Sequence, residues 1–355
     1  MRAFLADAVE SKKVAGGSLL ILQHGKQVFG EGFGYADVAS KRTFQLSTPV
    51  VIASISKPLL GTALCRLVDQ NKLKMDQPIS DLLPEFSDCQ LESGASITRA
   101  PTTTELLTHI SGLRYDRAKS GRIWFQDWTS GQTLEYVVKK VAKEFAFKYE
   151  PGTKYAYSGI GTDVAARVGE VASGLSRNEL LQKELAQPLG MQNTFYSNVK
   201  DVRQRQFNMP PRYYTNKKTG QYQSSRKRSP PAEGTYSSSG GSVISTAPDL
   251  AIWLTMIRNQ GRLANGDEYL SASTFEKMLE KQKGSYNAKG GLFVRRRDKD
   301  GKPVKYAHTG STGTYVWIDF EYDLICICLT QTAGSSEFQK DLESLIRKCL
   351  AASVQ

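Results

Sequence analysis

The order of hydrophobic patterns along the chain predicts an α/β fold of the α+β kind: an antiparallel sheet built from both chain ends, flanked by helices, with a mostly helical subdomain inserted between them. Three observations predict it. Two strand-length segments, Ser18–Leu22 and Gln27–Tyr35, open the chain around a turn at His24-Gly25-Lys26, as in a hairpin. Four more, Leu292–Arg296, Val304–His308, Thr314–Phe320 and Leu324–Gln331, follow one another closely near its end. Between these groups the apolar spacing is mostly helical. The expected division is a sheet subdomain over residues 1–62 and 235–355 and a helical one over 63–234, with a groove between them as the natural place for a site.

Each element has its own signal. A short amphipathic stretch (Phe4, Leu5, Val9) precedes the first strand. A helix is expected from about Ser54 to Asn71, with Leu60, Ala63, Leu64 and Leu67 on its apolar face. Further helices are expected at Thr133–Lys143, Gly161–Ala172 and Ser176–Ala186. Gly174 stops the second of these, and Ser176 with Glu179 forms a capping box for the third. Residues 201–240, rich in Pro, Ser, Lys, Arg and Tyr, read as a long polar surface excursion. A helix at Pro248–Gln260 follows, then the strand series with a hairpin turn at Asp300-Gly301, and a last helix over about Phe338–Ala351.

Composition narrows the function classes. The chain has 355 residues, 40% of them hydrophobic, enough for a substantial core. No apolar run approaches the ~18 residues of a membrane span. The net charge is +12, densest over Arg203–Arg228, yet no nucleic-acid motif accompanies it, so nucleic-acid binding is not expected. Five cysteines without metal spacing read as free thiols, mostly in the core. No metal or organic cofactor is expected, because His24, His109 and His308 lie far apart with no ligand spacing. His109 reads as part of a structural block. No charged-then-apolar leader is present; the expected location is periplasmic or secreted if a leader precedes this chain and cytoplasmic otherwise.

Three constellations carry chemistry. The first is Ser54-Ile55-Ser56-Lys57. Residues three apart share a helix face, so the Lys57 amine can reach the Ser54 hydroxyl. A serine hydroxyl is a weak nucleophile until a base takes its proton. A helix start also aims backbone N–H groups at a developing oxyanion. Ser-x-x-Lys occurs three times, at Ser54, Ser197 and Ser224. Only the first follows an apolar run (Val50-Val51-Ile52-Ala53) and opens an amphipathic helix, with Pro58 suited to its first turn. The second constellation is Tyr157-Ser158-Gly159, whose phenol can relay a proton. The third is His308-Thr309-Gly310-Ser311, between two strands, where glycine lets a substrate backbone approach.

In this order the three motifs resemble the serine penicillin-recognising superfamily. The nearest branch is that of class C β-lactamases, D-Ala-D-Ala carboxypeptidases and β-lactamase-like esterases. Supporting blocks are Leu106-Leu107-Thr108-His109-Ile110-Ser111-Gly112-Leu113, Pro188-Leu189-Gly190-Met191, and Gly240-Gly241 with Ser245-Thr246-Ala247 and Asp249-Leu250. The resemblance spans roughly residues 15 to 335. It implies that Ser54 attacks a carbonyl, that Lys57 and Tyr157 manage its proton, and that the N–H groups of Ser54 and Ser311 form the oxyanion hole. His308 and Thr309 then line the substrate edge.

Two positions depart from the branch. Gly159 stands where an asparagine commonly binds the acylamino group, and His308 stands where class C β-lactamases have lysine. A literal Lys218-Thr219-Gly220 lies in the polar excursion and reads as a turn. The expected function is a serine hydrolase working through an acyl-enzyme on esters, amides or β-lactams. The alternatives are a D-alanyl-D-alanine carboxypeptidase or penicillin-binding protein, and a slowly deacylating β-lactam sensor. The expected partner is a small ester, amide, β-lactam or D-amino-acid peptide; the sequence leaves the oligomeric state open.

Overall fold

The computed structural model describes residues 1–113, 131–198, 209–216, 219–224 and 235–352. Both chain ends build one antiparallel sheet. After helix α1 (Arg2–Glu10), strands β1 (Gly16–Gln23) and β2 (Lys26–Asp37) form a hairpin, and β3 (Arg42–Thr43) edges it. A short strand β4 (Val50–Val51) leads to helix α2 (Ser56–Asp69). Helices α3 (Thr103–Leu107), α4 (Leu134–Glu144), α5 (Gly159–Ser173) and α6 (Arg177–Leu181) fill the middle; α6 runs on through a π turn to Leu189. Then come β5 (Phe195–Tyr196), the small hairpin β6 (Tyr213–Thr215) and β7 (Tyr222–Ser224), β8 (Val243–Ser245), α7 (Ala247–Arg258) and α8 (Ala272–Leu279). Strands β9 (Phe293–Arg297), β10 (Pro303–Thr309), β11 (Tyr315–Asp319) and β12 (Leu324–Thr330) complete the sheet before helix α9 (Ser336–Ala352). The strand order is β3-β2-β1-β12-β11-β10-β9, so β1 meets β12 where the two chain ends join.

The period-two pattern of the strands separates two faces. Leu19, Ile21, Cys326 and Cys328 pack with Leu5, Phe338, Leu342 and Ile346 under α1 and α9. Leu20, Ile325, Ile327 and Leu329 face the other way, onto Trp253, Leu254 and Ile257 of α7. A further core gathers Leu106, Val138, Phe147, Val164 and Leu180 in the helical middle. Helix α2 contributes Leu59 and Ala63 to the core beneath the sheet and Leu60, Leu64 and Leu67 to the helical one. Each of these leucines fully removed from water contributes about 1.5–3 kcal/mol, which holds α2 firmly between the two.

The helix signals act as read. Thr133 and Thr246 cap α4 and α7, Ser176 with Glu179 makes the capping box of α6, and Gly174 ends α5 in the left-handed conformation. Ser158, which carried no such expectation, caps α5 and starts it at Gly159, two residues before the expected Gly161. All five cysteines are free and only Cys349 is exposed. Helix α8 had no expectation in the sequence.

Two expectations are corrected. Ser54 is not in the α-helix proper but in a 3₁₀ turn, Ala53–Ile55, just before it. The end of the supposed surface excursion is interior: Tyr236, Ser237, Ser238 and Ser239 are each at most 2% exposed. Of the basic Arg203–Arg228 stretch, residues 203–208, 217–218 and 225–228 lie outside the described residues, as does Lys200. Thr219 and Gly220 sit in the β6–β7 hairpin, where the Gly220 N–H donates to Asn216 O at 2.8 Å. Among the described residues no helix is long and apolar enough to cross a membrane, and no cluster of three or more His, Cys, Asp or Glu is placed to hold a metal ion.

Candidate active site

Ser54 follows a strained residue. Ala53 has φ +49°, a left-handed conformation that costs a residue with a Cβ about 1–3 kcal/mol. The surroundings hold it there. The Ile52 N–H donates to Val243 O (2.9 Å), Thr314 Oγ1 donates to Ile52 O (3.0 Å), Thr312 Oγ1 to Val51 O (3.0 Å) and Ser56 Oγ to Ala53 O (2.7 Å). Gly310 must be glycine at this contact. A Cβ there would stand 2.6 Å from Ile52 O and 2.1 Å from Thr314 Oγ1. The β10–β11 turn is thereby locked onto the serine turn.

Three remote segments meet at the Ser54 hydroxyl. Lys57 Nζ, on the first turn of α2, donates to Ser54 Oγ at 3.2 Å and to Gly240 O at 2.8 Å, and the lysine is 3% exposed. The Tyr157 hydroxyl donates to Ser54 Oγ at 3.0 Å, and the Lys57 ammonium lies 5.0 Å from the centre of the same ring. Tyr157 precedes the α5 cap and is 39% exposed.

His308, Thr309, Gly310 and Ser311 line one cleft of about 300 Å³ with Ser54, Tyr157, Phe293 and Gln339. Gly159 is not among them; it is buried in the first turn of α5. Ser311 is exposed, and its carbonyl accepts from Arg212 Nη2 at 3.1 Å. Two roomier hollows of about 520 Å³ hold none of the candidate residues; convergent polar groups, not volume, mark a site.

His308 is uncharged. Burial, then the neighbouring Lys57 charge, holds its imidazole down at about 3. Its Nδ1 lies 2.8 Å from Thr309 O, which can only accept. The ring proton therefore sits on Nδ1, and Nε2 keeps its lone pair.

A polar network behind Lys57 has no counterpart in the sequence reading. Ser239 N–H and the Tyr236 hydroxyl donate to the two oxygens of buried Asp163, each at 2.6 Å. Arg177 Nη2 donates to Ser237 Oγ at 3.0 Å and its Nη1 to Ser239 Oγ at 3.3 Å. These bonds fix the Ser237–Gly240 turn that presents the Gly240 carbonyl to Lys57. A serine run ending in two glycines was the only signal for it. His109, expected to be structural, packs its ring 4.2 Å from that of Tyr157, centre to centre.

Comparisons with known proteins accord with this geometry. Esterase EstB of Burkholderia gladioli is 28% identical over 202 residues, which cover 54% of this chain and 49% of that protein, so the chain spans about half the esterase's length. The D-alanyl-D-alanine-carboxypeptidase/endopeptidase AmpH of Escherichia coli K12 is 25% identical over 322 residues, 88% of this chain and 77% of that one. In fold, the chain superimposes on EstCE1, a hydrolase with promiscuous acyltransferase activity, at a TM-score of 0.75 and 22% identity, covering 94% of this chain and 93% of that one. The family profile described as Beta-lactamase matches residues 1–349. It takes in all three segments that converge on Ser54 as well as the sheet that carries them, and the chain accordingly belongs to the β-lactamase family.

Proposed function

We propose that this protein is a serine hydrolase that acts through an acyl-enzyme on Ser54, with small esters or amides as substrates. One observation carries the reading: Ser54 Oγ lies within hydrogen-bond reach of both Lys57 Nζ and Tyr157 OH at the edge of an accessible cleft. For attack, one of these two partners first releases its own proton to solvent and then takes the serine's. The Ser54 Oγ–carbonyl bond forms, the bond to the leaving group breaks, and the held proton passes to the leaving atom. Water then repeats the sequence against the ester on Ser54. The N–H groups of Ser54 and Ser311 are the candidate donors to the oxyanion.

Uncharged His308 supports substrates that carry no carboxylate at that edge. A second reading, a D-alanyl-D-alanine carboxypeptidase, is favoured by Arg212, whose guanidinium at the Ser311 carbonyl offers a cation to a terminal carboxylate. The testing experiment is steady-state turnover of p-nitrophenyl esters, a chromogenic cephalosporin and a D-Ala-D-Ala peptide by the parent and by S54A. Ester turnover abolished in S54A is the expected result; equal rates in both proteins would refute the assignment. Intact mass after β-lactam treatment separates turnover from a lasting adduct, which would mark a sensor.

A further inference from the structure

Tyr157 is a partly exposed side chain on an irregular segment, yet its hydroxyl has to meet Ser54 Oγ closely. What holds it is His109. The His109 carbonyl accepts from the Ala156 N–H at 2.7 Å, and its Nδ1 accepts from the Ser158 N–H at 3.2 Å. The two amides on either side of Tyr157 therefore both end on one residue. The imidazole also backs the phenol ring, with centres 4.2 Å apart and planes at 40°. His109 can do all three because its φ is +63°, which turns its carbonyl and ring toward the same strip of chain.

The tautomer follows from these contacts. A backbone N–H can only donate, so Nδ1 is the acceptor and the ring proton is on Nε2. An imidazolium has no lone pair for Ser158. Burial, then the charge of Lys57, holds the His109 pKa well below the usual imidazole range, so the acceptor stays available.

We propose that His109 is the positioning residue for Tyr157, fixing its phenol against Ser54 through both flanking amides and one ring face. The proposal rests on the reading that Tyr157 moves the Ser54 proton. His109 itself does not touch the serine; it acts through the tyrosine. A reacting group displaced by about 1 Å loses about 10²-fold in rate.

The test is a double-mutant cycle read by the rate at which a fluorophosphonate labels Ser54, followed by intact mass, with melting temperatures recorded alongside. This probe forms the Oγ–P bond and expels fluoride, and it needs the same deprotonation of serine as the proposed acylation. H109A should slow labelling about 10²-fold, and in a Y157F background it should cost no more than about twofold further. H109N places an amide oxygen near Nδ1 and tolerates the left-handed backbone, so it should recover about tenfold of the loss. It carries the same cycle if H109A does not fold, with a loss of about tenfold that disappears in Y157F. Equal factors in both backgrounds, or no recovery in H109N over H109A, would overturn the proposal while leaving the role of Tyr157 intact. Parental labelling by Y157F alone would overturn both.

Discussion

Acidification from about pH 7.5 to about pH 5 should cost the fold about 2 kcal/mol through His308 alone. The ring lies at the end of β10, 1% exposed, against Phe293 at 4.8 Å. Burial and the Lys57 charge hold it at about 3, against 6.5 for a free imidazole. Between those values the unfolded chain binds a proton that the folded chain refuses. Stability therefore rises with pH, is fully present above 6.5, and falls by about 1.4 kcal/mol per unit as the pH drops toward 3. Other groups titrate too, His109 among them, so the reference is H308Q, which keeps bulk and polarity and lacks the titration. Urea unfolding, followed by fluorescence of buried Trp253 and Trp317, gives both stabilities across the range. The parent should lose about 2 kcal/mol more than H308Q over this interval. Parallel curves would show that His308 is not held neutral, and the polarity assigned to this edge of the cleft would fall with it.

Three further outcomes follow from the packing around Lys57 and the core. In G240A the new Cβ would stand 2.9 Å from Lys57 Nζ; the displaced amine should cost about 10²-fold in fluorophosphonate labelling of Ser54, with a melting temperature near that of the parent. D163A removes the acceptor that the Ser239 N–H and the Tyr236 hydroxyl share; urea midpoints should report a loss of about 2–5 kcal/mol. In the native protein a thiol reagent should titrate only Cys349, and all five cysteines after denaturation, because burial raises Cys65 to about 12 and Cys89 to about 11 and closes off both.

Much of this was legible in local sequence because its causes are local. Strand alternation set the two faces of the sheet, and Thr133, Ser176 and Gly174 marked helix ends through bonds to their own neighbours. Ser-x-x-Lys brought Lys57 to Ser54 by helical spacing alone, and the motif order picked out Tyr157 and His308. What was not legible depends on contacts between remote segments. The left-handed turn at Ala53 exists because β8 and the β10–β11 turn grip it, and alanine gives no sign of that. Residues 236–240 looked like surface because serines and glycines usually are; they are interior because Asp163 and Arg177 satisfy their polar groups. Gly159 was placed in the site by motif position, whereas the chain buries it in a helix turn while Tyr157 alone reaches the cleft.

Helix α2 lends one face to each of two cores, and the serine turn is its first overhang. Neither core can loosen without dragging that helix, so the reacting groups have no private route to disorder. Amide protons of Leu59 through Leu67 should then exchange with solvent only by global opening, at the slowest rate in the molecule. Heat inactivation should likewise track complete melting instead of preceding it. Where many active sites fray before the scaffold does, this one is anchored at the seam that unravels last.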